Sequence, residues 1–299
     1  MTALSQGRTP PQPPAALAAA GPSRSRVDRR ARLFLYLLLT IGLVLMVAPF
    51  AWMLLGSFKP QAEFLRSVPT WLPTNPTLDN YERLVARLDF PRFFFNSTVV
   101  ATAVTAGNLV FSPMLGYALA KIHFTGKGVL LLLVLATLMV PASATLIPNF
   151  VLMSSLDLVN TYPGLILPFL AGPFGVFLTR QFFQGLPDEL LEAARIDGAG
   201  EFRIFWTIAM PLAGPILATL GILTFLGSWN AFIYPLVMAQ EPEMYTLPVA
   251  LATFATGQFQ ADHGMLMAGS VLLVLPVLAV FILVQRWITE GIATTGLKG

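Results

Sequence analysis

The sequence predicts an all-α, polytopic membrane protein with six transmembrane helices. The first observation is composition: the 299 residues are 56% hydrophobic and 11% charged, and their mean hydropathy is +0.72. These values lie far outside the range of soluble globular domains. The second is that uncharged runs long enough to cross about 30 Å of hydrocarbon recur along the chain. The third is that short, charged connections separate those runs.

Six helices follow from the uncharged runs, because a transmembrane helix needs about 20 apolar residues. They are predicted near residues 33–55, 95–120, 129–150, 161–183, 212–237 and 264–286. Residues 1–32 are rich in Pro, Ala, Gly and Ser and end in a basic block, which is typical of a disordered tail. The transmembrane domain then covers residues 33–287, and a second tail covers 288–299.

One further uncharged stretch, residues 244–261, contains Pro, Gly, Gln, Thr and Tyr. It is too polar to lie alone in lipid, so we assign it to an extracytoplasmic loop, residues 240–263. The positive-inside rule sets this orientation. Lys and Arg are absent from the 241–262 connection, whereas the opposite side collects Lys121, Lys127, Arg180 and Arg195. The first outer connection disagrees, but it is long and contains balancing acids, and long connections count less in this rule. Its basic residues are Lys59, Arg66, Arg83, Arg87 and Arg92. We therefore expect both termini in the cytoplasm of a bacterial cell and the chain in its plasma membrane.

Composition also excludes several classes of function. The chain has no cysteine, so disulfides, thiol nucleophiles and cysteine-ligated zinc are excluded. Two histidines are too few for a histidine-rich metal centre, and we expect no metal site. The net charge of +3 is small, and Lys and Arg do not form a patch interleaved with aromatic residues, so we expect no nucleic-acid partner. No Gly-x-x-x-x-Gly-Lys followed by Ser or Thr occurs, so nucleotide chemistry must belong to another subunit.

The connection at residues 185–211 differs in composition from everything around it. Pro187 suits a first helical position, and Asp188 and Glu189 suit a first turn, so a short helix is predicted. Gly198 is placed to end it in a left-handed conformation. A second amphipathic helix is predicted from there to Pro211.

The short helix is predicted to be amphipathic, with an apolar stripe of Leu190, Leu191 and Ala194. Its acids favour contact with a partner protein. A helix lying in the lipid headgroups is the alternative, but such helices are usually rich in Lys and Arg.

Seven residues of this connection stand at a characteristic spacing: Glu192, Ala193, Ala194, Asp197, Gly198, Ala199 and Pro211. The pattern resembles the cytoplasmic signature of the permease subunits of binding-protein-dependent ABC importers. Within that family the chain is similar to the carbohydrate importers, and specifically to the smaller maltose permease subunit. Further stretches carry this resemblance: Ser57–Lys59, Asn80–Tyr81, Phe95–Ser97, Gly116–Ala120, Arg180–Phe183, Ser228–Leu236 and Gly291–Gly299.

The resemblance implies the type I ABC importer permease fold and a non-enzymatic role. It implies that the seven residues form a coupling helix and turn gripped by a cytoplasmic ATPase. The implied partners are a second permease subunit, a dimer of ATP-binding subunits, an extracytoplasmic solute-binding protein and membrane lipid. ATP and Mg would be bound by the ATPase subunits. The implied solute is a sugar or a related polar molecule.

Alternatives remain open at this point. Permeases for glycerol phosphate or polyamines share the connection motif. A secondary transporter would carry charged coupling residues inside its spans, and none occurs away from their ends. Candidates for the solute path are neutral amides and aromatics, each of which could instead join helix to helix. They are Asn96, Asn108, Tyr117, Asn149, Trp229, Asn230 and Tyr234, and the substrate-binding residues stay unassigned.

Overall fold

The computed structural model describes residues 29–66, 68–256 and 262–295, and their regular structure is helical. The N-terminal tail predicted for residues 1–32 lies outside the described residues up to residue 28, as does the end of the C-terminal tail, 296–299. The chain divides into two units, residues 1–49 and 50–299. The first unit is described from residue 29 onwards and is the apolar beginning of helix α1, Arg29–Ser57.

The second unit contains the end of α1 and fourteen further helices among the described residues. They are α2 (Gln61–Phe64), α3 (Asp79–Arg87), α4 (Phe90–Lys121), α5 (Lys127–Leu138), α6 (Ala142–Ser155), α7 (Tyr162–Ile166), α8 (Pro173–Gln184), α9 (Asp188–Ile196), α10 (Glu201–Ile204), α11 (Met210–Leu212), α12 (Gly214–Trp229), α13 (Ile233–Met238), α14 (Leu247–Thr256) and α15 (His263–Thr295). Short 3-10 turns follow α7 and α13, and a π-helical turn, Phe205–Ala209, joins α10 to α11.

Four stretches of the described chain are long and apolar enough to cross a membrane: Ala31–Ser57, Phe90–Lys121, Tyr162–Gln184 and His263–Leu283. Two bent pairs of helices also pass this test together. Lys127–Leu138 meets Ala142–Ser155 at 105°, and Glu201–Leu212 meets Gly214–Trp229 at 81°. If each bent pair is one span, the described residues hold the six spans that the sequence predicts.

Three of the predicted helices are wrong as continuous elements. The third, 129–150, breaks between α5 and α6, where Pro141 has extended backbone angles (φ −61°, ψ 137°) immediately before α6. Proline has no N–H to donate to a preceding carbonyl, and it disfavours helical angles in the residue before it. The fourth, 161–183, is divided into α7 and α8 by a 3-10 turn and by Gly172, whose backbone is extended (φ −93°, ψ 136°). The fifth, 212–237, ends early because α12 stops at Trp229 and α13 is a separate helix.

The predicted extracytoplasmic loop, 240–263, contains a packed helix rather than irregular chain. Leu247, Val249 and Ala250 of α14 are fully buried, and Leu247 and Ala250 pack against Phe93 and Trp229. Protein rather than lipid therefore surrounds the buried part of α14, residues 247–251. The last helix also differs from the prediction, since α15 continues to Thr295, through most of the tail predicted at 288–299.

Helix α4 is the centre of the second unit and packs along α8 and α12. This close packing needs a glycine, because a Cβ at Gly116 would lie 2.9 Å from the backbone nitrogen of Arg180. With 32 residues, α4 is about 48 Å long. Its Phe90 end lies beside α3 and α14, and we call this the far end. Its Lys121 end meets the connection predicted at 185–211, which we call the hairpin (α9 to α11).

Candidate functional site

The first arm of the hairpin, α9, starts nearly where the sequence predicts. Pro187 is the residue before the helix (φ −57°, ψ 129°), so the helix begins one residue later than the sequence predicts. Asp188 and Glu189 occupy the first turn, and Arg195 occupies the last. Acidic residues at the start and a basic residue at the end both oppose the helix dipole, so the sequence stabilises this short helix locally.

At the end of α9, Gly198 has the left-handed conformation that the sequence predicts. Its φ is +83°, its N–H donates to the Arg195 carbonyl (3.0 Å), and the Ala199 N–H donates to the Ala194 carbonyl (2.9 Å). These two bonds form a Schellman motif, in which a left-handed residue reverses the chain. No atom lies within 4 Å of a Cβ built on Gly198. The requirement for glycine is therefore one of backbone conformation, and not of space.

An apolar cluster attaches the hairpin to the bundle. Its buried members, the hairpin cluster, are Tyr117, Phe183, Leu191, Ile204, Phe205, Ala209 and Ala213. The Tyr117 ring of α4 lies 5.6 Å from the Phe183 ring of α8 and 5.4 Å from the Phe205 ring of the hairpin. The first pair is edge-on (interplanar angle 88°) and the second is tilted (54°), and aromatic contacts of this kind add to the free energy gained by burial. The hairpin thus packs against both α4 and α8.

The predicted apolar stripe of α9 is divided between two faces. Leu191 is buried in the hairpin cluster, and Ala194 packs against it. Leu190 is instead 48% exposed, and Ile196, at the end of the helix, is 85% exposed. Helical geometry places adjacent residues about 100° apart, so Leu190 and Leu191 cannot share one narrow contact face. One side of helix α9 therefore packs against α4 and α8 of the same chain, and the other side presents an exposed apolar and acidic surface.

The seven motif residues divide in the same way. Ala194 and Ala199 are half-buried against the hairpin cluster. The exposed members are Glu192, Ala193, Asp197, Gly198 and Pro211. Within the described ranges, no three His, Asp or Glu side chains come together as metal ligands would.

A polar link that the sequence analysis missed joins the hairpin to α4. The Glu201 carboxylate accepts a hydrogen bond from Arg195 Nε (2.7 Å) through Oε1 and one from the Tyr117 hydroxyl (3.0 Å) through Oε2. The Glu201 carboxylate raises the pKa of the Arg195 guanidinium. Tyr117 is a solute-path candidate from the sequence, but its side chain is buried in the hairpin cluster. Tyr117 and Glu201 are 84 positions apart in sequence, so no local pattern indicates this contact.

A second polar link lies at the other end of α9. Lys121, the last residue of α4, donates through Nζ to the Leu186 carbonyl (2.7 Å) and to Asp188 Oδ1 (2.6 Å). The Lys121 side chain is 7% exposed and that of Asp188 is 71% exposed. The Lys121 ammonium holds the pKa of the Asp188 carboxyl below its usual value. In the sequence, Lys121 indicates orientation and Asp188 indicates a helix start, and no local pattern connects two residues 67 positions apart.

A cavity of about 330 Å³ lies beside the middle of α4. Val100, Val104 and Asn108 line it from α4, and the other walls are the 3-10 turn before α8, α12 and α13. Its lining is mostly apolar, with polar groups from Asn108, Thr224, Ser228 and Tyr234.

Asn108 uses its whole hydrogen-bonding capacity within the chain. Its amide nitrogen donates to the carbonyls of Val104 (3.1 Å) and Phe169 (2.6 Å). Its amide oxygen accepts from the Gly172 N–H (2.8 Å) and the Ser112 hydroxyl (3.3 Å). These bonds satisfy backbone groups that the break between α7 and α8 would leave unpaired.

The other path candidates have different positions. Tyr234 lines the cavity and donates to the Gly164 carbonyl (2.8 Å). Asn96 and Trp229 join helices to neighbouring backbone: Asn96 donates to the Glu243 and Tyr245 carbonyls, and Trp229 donates to the Leu273 carbonyl. Asn149 and Asn230 are not among the lining residues. The structure therefore brings two of the seven candidates to the cavity.

Comparison with known proteins places this architecture in a family. Residues 112–294 match the family model described as the binding-protein-dependent transport system inner membrane component. The chain is 41% identical over 269 residues to the arabinooligosaccharides transport system permease protein AraQ of Halalkalibacterium halodurans, covering 88% of this chain and 96% of that protein. It is 31% identical over 267 residues to the sn-glycerol-3-phosphate transport system permease protein UgpE of Yersinia pestis, covering 87% and 95%.

A solved structure agrees with these relatives. A chain from the crystal structure of a bacterial ABC transporter involved in the import of the acidic polysaccharide alginate matches with a TM-score of 0.79 at 25% identity. The match covers 89% of this chain and 99% of that one. The chain therefore belongs to the binding-protein-dependent inner-membrane permeases of ABC importers, and it is a multi-pass membrane protein and not an enzyme.

Proposed function

We propose that this chain forms half of the translocation pathway of an ABC importer for a sugar or a related polar solute, and that α9 docks into a cytoplasmic ATPase subunit. The observation that carries the proposal is the two-sided character of α9. One side is fastened to α4 and α8, whereas the other side leaves Leu190 and Ile196 exposed. Burying a leucine or isoleucine side chain contributes about 1.5–3 kcal/mol, so this surface is suited to a protein partner.

The docking contacts are proposed for the exposed members of the motif, Glu192, Ala193, Asp197, Gly198 and Pro211. Ala194 and Ala199 have a different role in this proposal, since they fix α9 to its own subunit. Ala193 has the small side chain that close approach of a partner requires. Glu192 supplies a carboxylate for polar contacts beside it.

The proposed orientation places the hairpin end in the cytoplasm together with both termini. Lys121, Lys127, Arg180, Arg195 and Arg203 lie at this end, as the positive-inside rule expects. Lys59, Arg83 and Arg92 lie at the far end, but they belong to the long first connection, and long connections count less in this rule. The far end, with α14 and the connection to α15, then faces the extracytoplasmic solute-binding protein. A second permease subunit would complete the pathway, and a dimer of ATPase subunits would bind ATP and Mg.

The solute class rests on two supports. AraQ is named for arabinooligosaccharides and the solved transporter for alginate, so carbohydrate is shared by the two. The cavity lining carries hydroxyl and amide groups without a charged side chain, which suits a neutral polar solute. Similarity to UgpE makes glycerol phosphate the second candidate. A ligand screen on the copurified binding protein, using oligosaccharides and glycerol phosphate, distinguishes the two.

Crosslinking tests the docking proposal directly. The chain has no cysteine, so Ala193→Cys introduces a unique thiol on the exposed side of α9. A bifunctional crosslinker on this thiol should capture an ATP-hydrolysing protein in membranes of the source organism. Leu78→Cys, exposed at the far end, is the matched control and should not capture it.

Copurification in mild detergent is the second test of the proposed function. The proposal expects a second permease, an ATPase and a binding protein with the tagged chain. Recovery of a homo-oligomer that moves solute without an ATPase would refute it and favour a secondary transporter.

A further inference from the structure

The last turn of α4, from Tyr117 to Lys121, contacts both ends of α9. Tyr117 and Lys121 are four positions apart on a helix, so their side chains lie on the same face, one turn from each other. Lys121 contacts the start of α9 through Leu186 and Asp188. Tyr117 contacts Glu201, whose other carboxylate oxygen holds Arg195 at the end of α9. A nine-residue helix is therefore fastened at each end to a single turn of α4.

These links differ physically from the apolar contacts of the hairpin cluster. Burial of apolar surface is non-directional, so the cluster alone would allow α9 to slide or rotate against α4 and α8. Hydrogen bonds require a particular distance and angle. The Tyr117 hydroxyl and the Lys121 ammonium both come from side chains that are almost entirely buried. Their bonds therefore fix the position of α9 relative to α4.

The same helix reaches the cavity. Asn108 lies thirteen residues before Lys121, which is about 20 Å along the helix axis. Pro113 lies between them, yet α4 continues as one helix through it. Val100, Val104 and Asn108, farther along α4, form one wall of the cavity. A displacement of α9 can therefore reach the cavity wall through one continuous element.

We propose that Tyr117 and Lys121 are positioning residues that fix the docking helix α9 to α4, and that α4 carries movement of α9 to the wall of the cavity. This inference rests on the proposed function, because it needs an ATPase that moves α9. Within this subunit, movement of α9 would pass along α4 to the cavity, and its transmission would depend on the Tyr117 and Lys121 side chains.

The first test measures solute transported per ATP hydrolysed by the importer reconstituted with its partners in liposomes. Tyr117→Phe keeps the ring in the hairpin cluster but removes the hydroxyl, and Lys121→Met removes the ammonium. Hydrogen bonds to charged groups contribute more free energy than neutral ones, so losing one should loosen α9 enough to lower the transport-to-hydrolysis ratio about fivefold in each variant. Lys121→Arg retains charge and donors and should restore most of the ratio.

Tyr81→Phe is the matched control. It removes a tyrosine hydroxyl that donates to Ser57 Oγ (2.8 Å) at the far end, so the ratio should stay at the wild-type value. Equal ratios in wild type, Tyr117→Phe and Lys121→Met would overturn the inference while leaving the proposed function intact. A wild-type chain that never assembles with an ATPase would instead overturn both.

A distance measurement keeps the inference testable where a variant fails to assemble. Spin labels on cysteines placed at Ala193 in α9 and Met114 in α4 report the separation of these helices in the isolated chain. We expect a narrow distance distribution in the otherwise unchanged chain, and a clearly broader one with Tyr117→Phe and Lys121→Met combined. Distributions of equal width would show that the hairpin cluster alone fixes α9, which would contradict the inference.

Discussion

The two ends of α4 are fastened in different ways. At the far end, buried amides bind the backbone carbonyls of other segments. Asn80 donates to the carbonyls of Ser57 (2.7 Å) and Lys59 (2.8 Å), and Asn96 donates to those of Glu243 (2.8 Å) and Tyr245 (2.9 Å). At the hairpin end, apolar rings and two polar links hold α9, while its outer surface stays exposed. The far end is thus bound together from several segments, whereas the hairpin is held on one side only, by α4 and α8.

Several of the short stretches that carry the family resemblance contact one another at the far end. Ser57–Lys59 and Asn80–Tyr81, which are distant in sequence, meet through the Asn80 amide and the Tyr81 hydroxyl. Ser97 accepts a hydrogen bond from the Leu247 N–H (2.8 Å), which fixes the start of α14. These residues are therefore structural ties between distant segments of the chain.

The largest effect is expected from the buried side of α9. Leu191→Ala removes a fully buried side chain from the hairpin cluster and should lower the free energy of unfolding by about 3 kcal/mol. Leu190→Ala, next to it on the exposed side, should change it by less than about 0.5 kcal/mol but should weaken ATPase binding. Chemical unfolding of the purified chain in detergent measures the first quantity, and titration with the ATPase measures the second. Equal destabilisation by the two variants would contradict the two-sided description of α9.

A smaller loss of stability is expected at the far end. Asn96→Leu leaves the Glu243 and Tyr245 carbonyls without their donor and should lower the free energy of unfolding by about 2 kcal/mol. Asn230→Leu is the control, because Asn230 is exposed and donates to the Leu226 carbonyl of its own helix. Unfolding in the same detergent compares them. If the control loses as much stability, the amide ties are not what binds the far end together.

Next in size is the turn that ends α9. Gly198→Ala forces a residue with a Cβ into a left-handed conformation and should cost about 1 kcal/mol. Gly200→Ala is a closely matched control, since space is open at both glycines and Gly200 has a φ of −72°. Membrane insertion should be unaffected, whereas transport per ATP should fall for Gly198→Ala. Normal coupled transport by this variant would show that the turn does not need a left-handed residue.

The smallest effect is a pH dependence confined to the hairpin end. Because Lys121 lowers the pKa of Asp188, their pairing stabilises the folded chain fully above the ordinary carboxyl pKa of about 4. That stabilisation is lost as the pH falls through the lowered value. Asp188→Asn should remove this part of the acid dependence of the Ala193–Met114 spin-label distance, whereas Glu189→Gln should not. An unchanged acid response in Asp188→Asn would contradict the assignment.

The accuracy of the sequence prediction differed between these features for physical reasons. Apolar runs and the sequence Asp-Gly-Ala depend on local chemistry, so the spans and the left-handed Gly198 were predictable. The helix breaks were not, because proline does not identify them. Pro113 and Pro148 lie within continuous helices, whereas Pro141 precedes a bend of 105°. Whether neighbouring groups satisfy the freed carbonyls depends on packing, which the sequence does not display.

The candidate site shows the same division. The acids Asp188 and Glu189 correctly indicated where α9 begins, but amphipathicity alone placed Leu190 and Leu191 on one face. Tyr117 was considered for the solute path because it is an aromatic residue in a span. Its hydroxyl instead contacts a carboxylate 84 positions away. Contacts at such separations arise from how the helices pack, and no local period encodes them.

The saturated amide of Asn108 has a consequence for selectivity. A solute hydroxyl that competes for this side chain must displace a bond to Phe169 or Gly172, and so disturb the break between α7 and α8. If the cavity carries the solute, as the proposed function requires, discrimination among solutes here would depend on the lining hydroxyls of Thr224 and Ser228. Exchanging these two hydroxyl residues should alter which molecules pass while leaving the frame of the subunit unchanged.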